Sequence, residues 1–365
     1  MHADLILAMR QIQKRVDDFC SRFELRIPIL LAPMAGVPAP SLSVAVANAG
    51  GLGSCGVVLM PPGEIDAWVA AVRARSNGAF QLNTWIPDPA PDRDPQHEGK
   101  VREFLGQWGP AVPASAGDAV PPDFATQCEA ILAAGPRIVS SVMGLYPPHF
   151  VARLKQRGVA WFANVSTVAE ARAAEQAGAD VVVAQGAEAG GHRGCFEADQ
   201  AMNRQVGLFA LIPAIADAVR LPVVATGGIA DARGVAAALV LGASAAQIGT
   251  GFLRCPEAKI HPAWADALAH TLPEDTIVSR AFSGRAGRTI ATRYVKAAVA
   301  KGAPQPAPYP VQRGLTAAMR SAAQKEGDVE RMQVWAGQSA ALAKAEPAAE
   351  LASRIWRDAQ ALLSA

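Results

Sequence analysis

The segment PVVATGGIADARGVAAALVLGASAAQIGTG, residues 222–251, holds one strand–helix–strand unit and sets the pattern for the rest of the chain. Its apolar run Pro222–Thr226 has the length and composition of a buried strand, and a glycine pair separates it from a helix that begins near Asp231. Gly242 ends that helix, because glycine adopts the left-handed conformation without a Cβ clash, and a second buried strand covers Ala245–Gly249. Apolar strands joined by helices are typical of a parallel sheet.

The same unit recurs from Ile29 to about Leu253. The predicted strands are Ile29–Ala35, Gly51–Gly56, Ala79–Ile86, Arg137–Met143, Val159–Val165, Asp180–Gln185, Pro222–Thr226 and Ala245–Gly249. Eight strands that alternate with helices predict an α/β fold, specifically a TIM (β/α)8 barrel, with an inserted segment after strand 3 and a helical C-terminal extension.

Two connections, Pro87–Pro122 and Gly186–Gly207, are longer than the others, and both follow the carboxyl ends of strands, where barrels carry their active sites. We expect the barrel to occupy residues 1–270, with the insertion at about 87–122, and residues 271–365 to pack on it as an extension. A helix is expected inside the insertion at Glu98–Trp108. A lid and a subunit contact are both open for the insertion, and a partner-binding appendage is the alternative for the tail.

Composition excludes several classes of protein. The chain has 365 residues, 51% of them hydrophobic, and its 34 Lys and Arg residues are scattered among 32 Asp and Glu residues rather than gathered in a stripe, so we expect no nucleic-acid partner. Gly, Pro or charge interrupts every apolar stretch before the roughly 20 residues needed to span a bilayer, and the charged N-terminal segment does not resemble a signal peptide. A cytoplasmic, non-membrane protein is expected.

The cysteines and histidines show no metal-binding pattern. The five cysteines are widely separated and without CxxC spacing, so they are expected to be reduced, buried thiols. No pair of His residues or carboxylates has convincing metal-ligand spacing either, and no metal site is expected. The cysteines are Cys20, Cys55, Cys128, Cys195 and Cys255.

Two glycine-containing loops predict a phosphate site. Gly227 and Gly228 follow the seventh strand, and Gln247-Ile248-Gly249-Thr250 ends the eighth. Backbone N–H groups and a helix N-terminus at such joints attract anions, and the loops after strands seven and eight are the usual phosphate site of TIM barrels. The adjacent cradles indicate a phosphorylated cofactor or substrate. The alternative is that the glycines only permit tight turns.

A third loop, in the sequence AQGAEAGGHRG, contains the candidate catalytic residue. Gln185 ends the sixth strand, where its amide can reach the polar edge of a heterocycle, and Gly190 lets the main chain approach a flat ligand. His192 is then expected on a mobile loop above the barrel mouth, with an ordinary pKa of about 6.5 that suits proton transfer. The alternative is a solvated His192 beside Arg193 as a simple surface charge.

Further polar and soft side chains are expected to face the same mouth. Asn83 lies near the end of the third strand, and Pro33 and Met34 lie near the end of the first. A hydrogen bond within the core is the alternative for Asn83, and a packing role is the alternative for Met34. Arg285 is undecided between assisting an anionic substrate and pairing with a surface carboxylate.

The chain resembles the class I nitronate monooxygenases over nearly its whole length. The resemblance rests on APMAG (32–36), NAGGLG (48–53), AQGAEAGGHRG (184–194), TGGI (226–229), QIGTGFL (247–253), RGLTAAMR (313–320) and WAGQ (335–338). It implies a TIM barrel that binds FMN non-covalently, through residues matching Asn83, Gln185, Gly190, Gly228 and Gln247–Thr250, and it places His192 on the family's catalytic base. Ile248 departs from the family, where Met is frequent, and little effect is expected because the backbone makes the contact.

The resemblance also implies an activity: oxidation of alkyl nitronates such as propionate 3-nitronate, with neutral nitroalkanes as further candidates. One-electron transfer to the flavin and reoxidation by dioxygen release a carbonyl compound and nitrite. The partners would be the small substrate and dioxygen, for a monomer or a homodimer. Alternatives are an NAD(P)H-dependent flavin reductase, of the quinone or enoyl-acyl carrier protein type, and a non-catalytic sensor of a phosphorylated ligand.

Overall fold

The computed structural model describes residues 2–37 and 39–364, with side chains from residue 9 onward, so Met1, Pro38 and Ala365 lie outside the described residues. The strands are β1 (Ile29–Leu31), β2 (Gly53–Gly56), β3 (Phe80–Trp85), β4 (Ile138–Val142), β5 (Ala160–Val165), β6 (Val181–Gln185), β7 (Gly191–His192), β8 (Val223–Thr226), β9 (Ala245–Ile248), β10 (Thr276–Ser279) and β11 (Gly287–Ile290). The helices are α1 (His2–Phe23), α2 (Pro40–Asn48), α3 (Pro62–Arg73), α4 (Pro95–Gly106), α5 (Phe124–Ala134), α6 (Pro148–Gln156), α7 (Val168–Gln176), α8 (Leu208–Ala216), α9 (Ala232–Val240), α10 (Pro262–His270), α11 (Arg293–Ala298), α12 (Val311–Leu315), α13 (Ala317–Glu326) and α14 (Ala348–Ser364).

Eight parallel strands close into a barrel in the order β1-β9-β8-β6-β5-β4-β3-β2. A parallel bridge between Leu30 and Leu52 joins the first and last strands of that order. The predicted TIM barrel is therefore confirmed, and each predicted strand overlaps an observed one. The first strand ends at Leu31 rather than Ala35, because Pro33 has no N–H to donate to a strand ladder and the chain turns across the barrel mouth.

The crossover helices form where the sequence supplies caps and an apolar face. In α7, the Thr167 hydroxyl accepts a hydrogen bond from the Glu170 backbone N–H at 3.1 Å, which satisfies one of the free donors of the first turn. Ala171 and Ala174 are fully buried on the face that packs against the barrel. Gly178 ends the unit at a φ of 91°, in the left-handed region that favours glycine.

Helix α1 packs on the core near the start of β1. The ring of Phe23 lies 4.9 Å from that of Phe162 of β5, and Phe19 packs beside both. Because α1 leads directly into β1, this aromatic cluster lies at the amino-terminal end of the barrel, opposite the strand ends that hold active sites.

A small antiparallel sheet lies over the barrel mouth, and sequence analysis did not foresee it. Strands β10 and β11 come from the C-terminal extension, and β11 pairs with β7 so that Gly287 lies opposite His192. The extension therefore contributes strands as well as helices, and it fixes the position of the loop that follows Gln185.

The insertion and the C-terminal extension pack against each other. Helix α4 lies inside the insertion, close to the predicted Glu98–Trp108, and its Val101 and Leu105 join a core cluster with Leu315 and Met319 of the extension. The last helix, α14, packs on α9 and α2 of the barrel. Barrel, insertion and extension are thus in extensive contact.

Two further expectations concern side chains and hydropathy. All five cysteines are buried and unbridged, as predicted, and burial raises the pKa of thiols such as Cys55 to about 12. None of the helices within the described residues combines the length and apolar character that a bilayer crossing requires.

Candidate active site

A deep cavity opens at the carboxyl ends of the barrel strands. Residues at or just beyond the ends of all eight strands line it: Met34, Gly56, Asn83, Val142, Asn164, Gln185, Thr226 and Gln247. The connections after β6, β8 and β9, together with the C-terminal extension, form its upper walls. This is the position at which TIM-barrel enzymes hold their substrates.

The predicted phosphate cradles meet on one side of this cavity. Gly227 and Gly228 have φ angles of 118° and 66°, which turn their backbone N–H groups out of the strand ladder. Within the part of the chain that the structure describes, the N–H groups of Gly227, Gly228 and Gly249 have no hydrogen-bond acceptor. The Thr226 hydroxyl donates to the Gln247 carbonyl at 2.9 Å and ties the two loops together. Converging free N–H groups can bind an anion.

One set of donors in the predicted cradle, the first backbone N–H groups of α9, is already hydrogen-bonded within the protein. The Asp231 carboxylate caps α9, accepting from the backbone N–H groups of Arg233 and Gly234 at 3.0 and 3.2 Å. The first turn of α9 therefore satisfies its own donors, and an anion would be held by the glycine loops rather than by these helical amides.

A segment of the extension, residues 335–339, crosses the cradle, and we call it the strap. The Gly337 backbone N–H donates to the Thr250 hydroxyl at 3.0 Å, and the Ser339 hydroxyl donates to the carbonyl of Gly228. A Cβ on Gly190 would lie 2.5 Å from the Gly337 nitrogen, so glycine is needed where strap and loop touch. The strap encloses the phosphate cradle from above.

Gln185 holds the loop that follows β6, residues 186–194, in shape. Its Oε1 accepts from the Gly194 backbone N–H at 2.7 Å, and its Nε2 donates to the His192 carbonyl at 3.1 Å. Arg193 is buried rather than a surface charge, and its guanidinium donates to the Gly186 carbonyl at 2.7 Å. Burial lowers the pKa of Arg193 to about 10, which still leaves it protonated at neutral pH.

His192 lies in β7, not on a mobile loop, because pairing with β11 fixes its backbone. Its ring is partly buried between two tryptophans, with ring centroids 4.7 Å from Trp85 and 4.8 Å from Trp335. Burial, together with the positive charges of Arg285 and Arg313, lowers the pKa of His192 to about 3. The imidazole is therefore neutral at physiological pH, because its pKa lies well below the ordinary value for histidine.

Hydrogen bonds around Ser283 determine which ring nitrogen is free. The Ser283 hydroxyl lies 2.7 Å from Nε2 of His192, donates to the Arg285 carbonyl at 3.2 Å and accepts from the Arg285 backbone N–H at 3.3 Å. Because the hydroxyl has one proton, this arrangement is satisfied when His192 Nε2–H donates to Ser283. Nδ1, which has no partner among the described residues, then carries the lone pair that can accept a proton.

The other predicted residues are distributed between the cavity and the core. Pro33, Met34, Asn83, Gly190 and the polar ends of both cradles line the cavity. The Asn83 amide also donates to the Ser140 hydroxyl at 3.0 Å, so it combines a core hydrogen bond with a place at the mouth. Ile248 is buried in the barrel core and does not line the cavity, which leaves only its backbone near the cradle.

Sequence analysis missed most of the aromatic wall. Trp85, Tyr309 and Trp335 surround the His192 side of the cavity, with Trp85 and Tyr309 ring centroids 4.9 Å apart. A weak signal existed for Trp85, which lies two residues after Asn83, and for Trp335, which begins the WAGQ motif. Asn164 also lines the cavity, and its Oδ1 is buried with no hydrogen-bond partner among the described residues.

Arg285 proves to be a buried structural cation. Its Nη1 donates to both Asp88 carboxylate oxygens, at 2.8 and 2.9 Å, and its Nη2 donates to the Cys195 carbonyl at 2.6 Å. Asp88 belongs to the insertion, so the pair connects the insertion to the sheet over the mouth. Arg285 does not line the cavity, but its positive charge helps to lower the pKa of His192.

The electrostatics of the cavity favour an anion. No Asp or Glu is found among its described lining residues, and Arg313 contributes a positive side chain. A neutral imidazole, a nearby guanidinium and free backbone N–H groups form a site in which a negatively charged ligand is stabilised and a cation is not.

Comparison with known proteins identifies relatives of this arrangement. A family model described as nitronate monooxygenase matches residues 19–358. The nitronate monooxygenase of Paraburkholderia phytofirmans is 39% identical over 337 residues, which is 91% of this chain and 92% of that protein.

Solved structures with the same fold include two that cover most of this chain. The nitroalkane oxidase of Streptomyces ansochromogenes superposes with a TM-score of 0.84 at 32% identity, covering 93% of this chain and 98% of that one. FabK from Thermotoga maritima superposes less well, with a TM-score of 0.73 at 27% identity and coverage of 94% and 96%.

Proposed function

The chain belongs to the nitronate monooxygenase family, and we propose that it oxidises alkyl nitronates with FMN in the barrel-mouth cavity and His192 as its base. It is a flavin-dependent oxidoreductase that acts on nitronates or nitroalkanes. We further place the enzyme in the cytoplasm, as a monomer or homodimer that uses dioxygen. The observation that carries the proposal is the position of a neutral His192, held by Ser283 between two tryptophans, in a cavity whose described lining residues include no carboxylate.

The cavity has the features that a flavin mononucleotide requires. The free N–H groups of Gly227, Gly228 and Gly249 suit one terminal phosphate, and the strap with Thr250 covers it. Glycine at 249 keeps the floor open, because a Cβ there would lie 3.3 Å from Ala32. Within the described residues no second nucleotide-binding domain accompanies the barrel, which supports FMN over FAD.

We assign the remaining cofactor contacts to residues on neighbouring strand ends. Pro33, Met34, Asn83 and Gln185 would face the ring system, and Gly190 with Gln247–Thr250 would approach the phosphate end. Ile248 would contribute backbone only. When bound, the flavin supplies the electron acceptor that nitronate oxidation needs and passes electrons on to dioxygen.

The protein's own residues select the ionised substrate. A nitronate is already deprotonated, so it needs no base, and the positive field of Arg313 favours its entry. A neutral nitroalkane must first lose its α-proton, for which Nδ1 of His192 is the acceptor. The low pKa of His192 makes that transfer unfavourable, because the transfer must form an imidazolium. The site therefore favours nitronates over nitroalkanes.

An anaerobic experiment tests the assignment. Protein purified with its cofactor should release FMN on denaturation, and mixing with propionate 3-nitronate without oxygen should change the visible absorbance of the bound flavin. NADH and NADPH should act slowly or not at all. Released FAD would contradict the cofactor assignment.

The same experiment separates the second candidate function. Rapid bleaching by NADH or NADPH, with no response to the nitronate, would make the protein a flavin reductase. The likeness to FabK is the observation that keeps this alternative in the test.

A further inference from the structure

A second depression, which we call the outer groove, continues from the active-site cavity to the surface. One wall is the face of α12 and α13 that carries Arg313, Ala317 and Arg320, and the opposite walls are residues 120–122 and 259–261. The groove shares lining residues with the inner cavity, so the two form one continuous space. The shared residues are Gly36, Leu59, Trp264, Tyr309, Arg313, Gln333 and Trp335.

The outer groove has an excess of positive charge. Lys259, Arg313 and Arg320 line it, and no Asp or Glu is found among its described lining residues. None of the three cations forms an ion pair within residues 9–37 and 39–364, whose side chains the structure describes. Nearby Arg331, in contrast, pairs with Asp328 at 2.6 Å. Cations without local counter-ions create a field that attracts an anion from solvent.

Arg320 is held in place by neutral groups. Its Nε donates to the Thr316 hydroxyl at 3.1 Å, its Nη2 to the Arg313 carbonyl at 2.8 Å and its Nη1 to the Gln333 amide oxygen at 3.4 Å. A guanidinium has five N–H bonds, so two remain free. Burial and the charge of Arg313 lower the pKa of Arg320 to about 10, so it stays protonated at neutral pH.

Other residues of the outer groove suit a ligand that combines an apolar chain with an anionic end. Trp264 lines both spaces, and its indole Nε1, which is a donor only, is buried with no hydrogen-bond partner among the described residues. Val120 is 88% exposed at the rim beside Pro121 and Pro122, which gives the groove an apolar lip. Methylene groups could lie on this lip while donors hold an anionic end.

We propose that the outer groove binds the remote carboxylate of an ω-carboxyalkyl nitronate whose chain is longer than that of propionate 3-nitronate. The inference rests on the proposed function and names its substrate class: a flexible dianion, with the nitronate beside His192 and the carboxylate at Arg320.

The two arginines divide the substrates by length. Arg313 lines the inner cavity as well as the outer groove, so it is within reach of short substrates. Arg320 lines only the outer groove, where the Thr316 hydroxyl, the Gln333 amide oxygen and the Arg313 carbonyl hold its guanidinium. A short carboxylate therefore meets Arg313, and only an extended chain reaches Arg320.

Steady-state kinetics on the flavin-loaded enzyme test this division. Alkyl nitronates and their ω-carboxylated counterparts, with skeletons of three to eight carbons, would be compared in wild type and in Arg320→Gln. We expect Arg320→Gln to lower kcat/KM about ten- to one-hundred-fold for the long carboxylated nitronates, the usual effect of losing hydrogen bonds to a charged group. The uncharged nitronates and propionate 3-nitronate should change less than about twofold. Arg313→Gln should impair carboxylated substrates of every length.

Lys325→Gln is the matched control, because it removes the same charge from an exposed position on α13 outside the outer groove. The proposal would be overturned if wild-type kcat/KM for the carboxylated nitronates did not rise with chain length. It would also be overturned if Lys325→Gln lowered kcat/KM for the long carboxylated nitronates as much as Arg320→Gln does. Oxidation of uncharged nitronates by the same preparations would leave the proposed function intact in either case.

A binding measurement does not depend on turnover. Dicarboxylates from butanedioate to octanedioate resemble the dianion, since a carboxylate has the planar two-oxygen shape of a nitronate. Their quenching of tryptophan fluorescence should be strongest for the longer members and should weaken in Arg320→Gln. If the dicarboxylates do not bind and NADPH binds in an Arg320-dependent manner, the outer groove is a nucleotide site and the proposal is wrong. This result is independent of whether nitronates are oxidised.

Discussion

At the scale of single residues, His192 shows how much the surroundings change an ionisable group. Its ordinary pKa suits a base at neutral pH, yet burial between Trp85 and Trp335 and two nearby arginines lower the pKa to about 3. Ser283 then fixes the orientation of the ring. An imidazole with this pKa is unprotonated at every physiological pH. In its proposed role as base, it is limited by a weak affinity for the proton rather than by its protonation state.

Replacing His192 by Asn should separate proton transfer from electron transfer. We expect turnover of a neutral nitroalkane to fall by about a hundred- to ten-thousand-fold, the usual contribution of a general base, while most nitronate oxidation survives. Steady-state rates with a nitroalkane and with its preformed nitronate, at equal FMN content, provide the measurement.

The control is His149→Asn, on an exposed face of α6, which should change neither rate. Equal loss of both activities in His192→Asn would indicate that the imidazole binds the anion instead. If neither activity fell, the assignment of His192 as base would be wrong. Because the pKa of His192 is lowered, its ionisation should not appear in the wild-type rate profile between about pH 5 and pH 8.

At the scale of elements, the strap and the small sheet over the mouth complete the site. The barrel supplies the glycine cradle, and residues 335–339 of the extension close it through Thr250 and Gly228. Strand β11 pairs with β7 and thereby sets the height of His192 above the cavity. Neither contact lies within one βα unit, so both depend on how the extension folds back.

Gly190→Ala should loosen this closure. The new Cβ would lie 2.5 Å from the Gly337 nitrogen and 2.7 Å from the Ala336 carbonyl carbon, and these are backbone atoms that can only move with the strap. We expect the Kd for FMN to rise about tenfold or more, in line with an overpacking cost of about 1–3 kcal/mol. Fluorescence titration of the flavin-free protein with FMN measures it.

Gly63→Ala serves as the matched control, since a Cβ on Gly63 of α3 meets nothing within 4 Å. An unchanged Kd for FMN in Gly190→Ala would show that the strap does not close on the phosphate end of the cofactor.

At the scale of the whole molecule, a buried ion pair connects the insertion to the sheet over the mouth. Arg285 is 2% exposed and donates to Asp88, which lies 197 residues away in the chain. A pair of this kind contributes little net free energy when intact, but the loss of one partner leaves a buried charge without a counter-ion.

Asp88→Asn should therefore destabilise the protein well beyond a surface substitution. The change keeps the size of the side chain and removes its charge, and we expect the free energy of unfolding to fall by about 3 kcal/mol. Asp118→Asn, which removes the exposed partner of Arg93 in the same insertion, should cost about 0–1 kcal/mol. Urea titrations of both variants give the comparison, and similar losses would mean that the Arg285 pair is effectively solvated.

Local patterns in the sequence are sufficient to predict the barrel and the loops that surround its mouth. Strand periodicity, helix-ending glycines and the loops at Gly227–Gly228 and Gly190–His192 are patterns within a few residues of each other, and local physics fixes what such patterns form. The eight strands and the TIM barrel are confirmed on that basis. The assignment of His192 and the cofactor residues stays a prediction.

The side chains that meet at the mouth from distant parts of the chain cannot be predicted from such local patterns. Trp85, Tyr309 and Trp335 come from separate parts of the chain, and their contact with one another or with His192 depends on the fold of the extension. The sequence leaves the role of Arg285 undecided and admits a surface charge as the alternative for Arg193. Both side chains are buried, and the acceptors of Arg285 lie far away in the chain. The outer groove arises in the same way, since a one-dimensional pattern records neither long-range packing nor the absence of counter-ions for Arg313 and Arg320 among the described side chains.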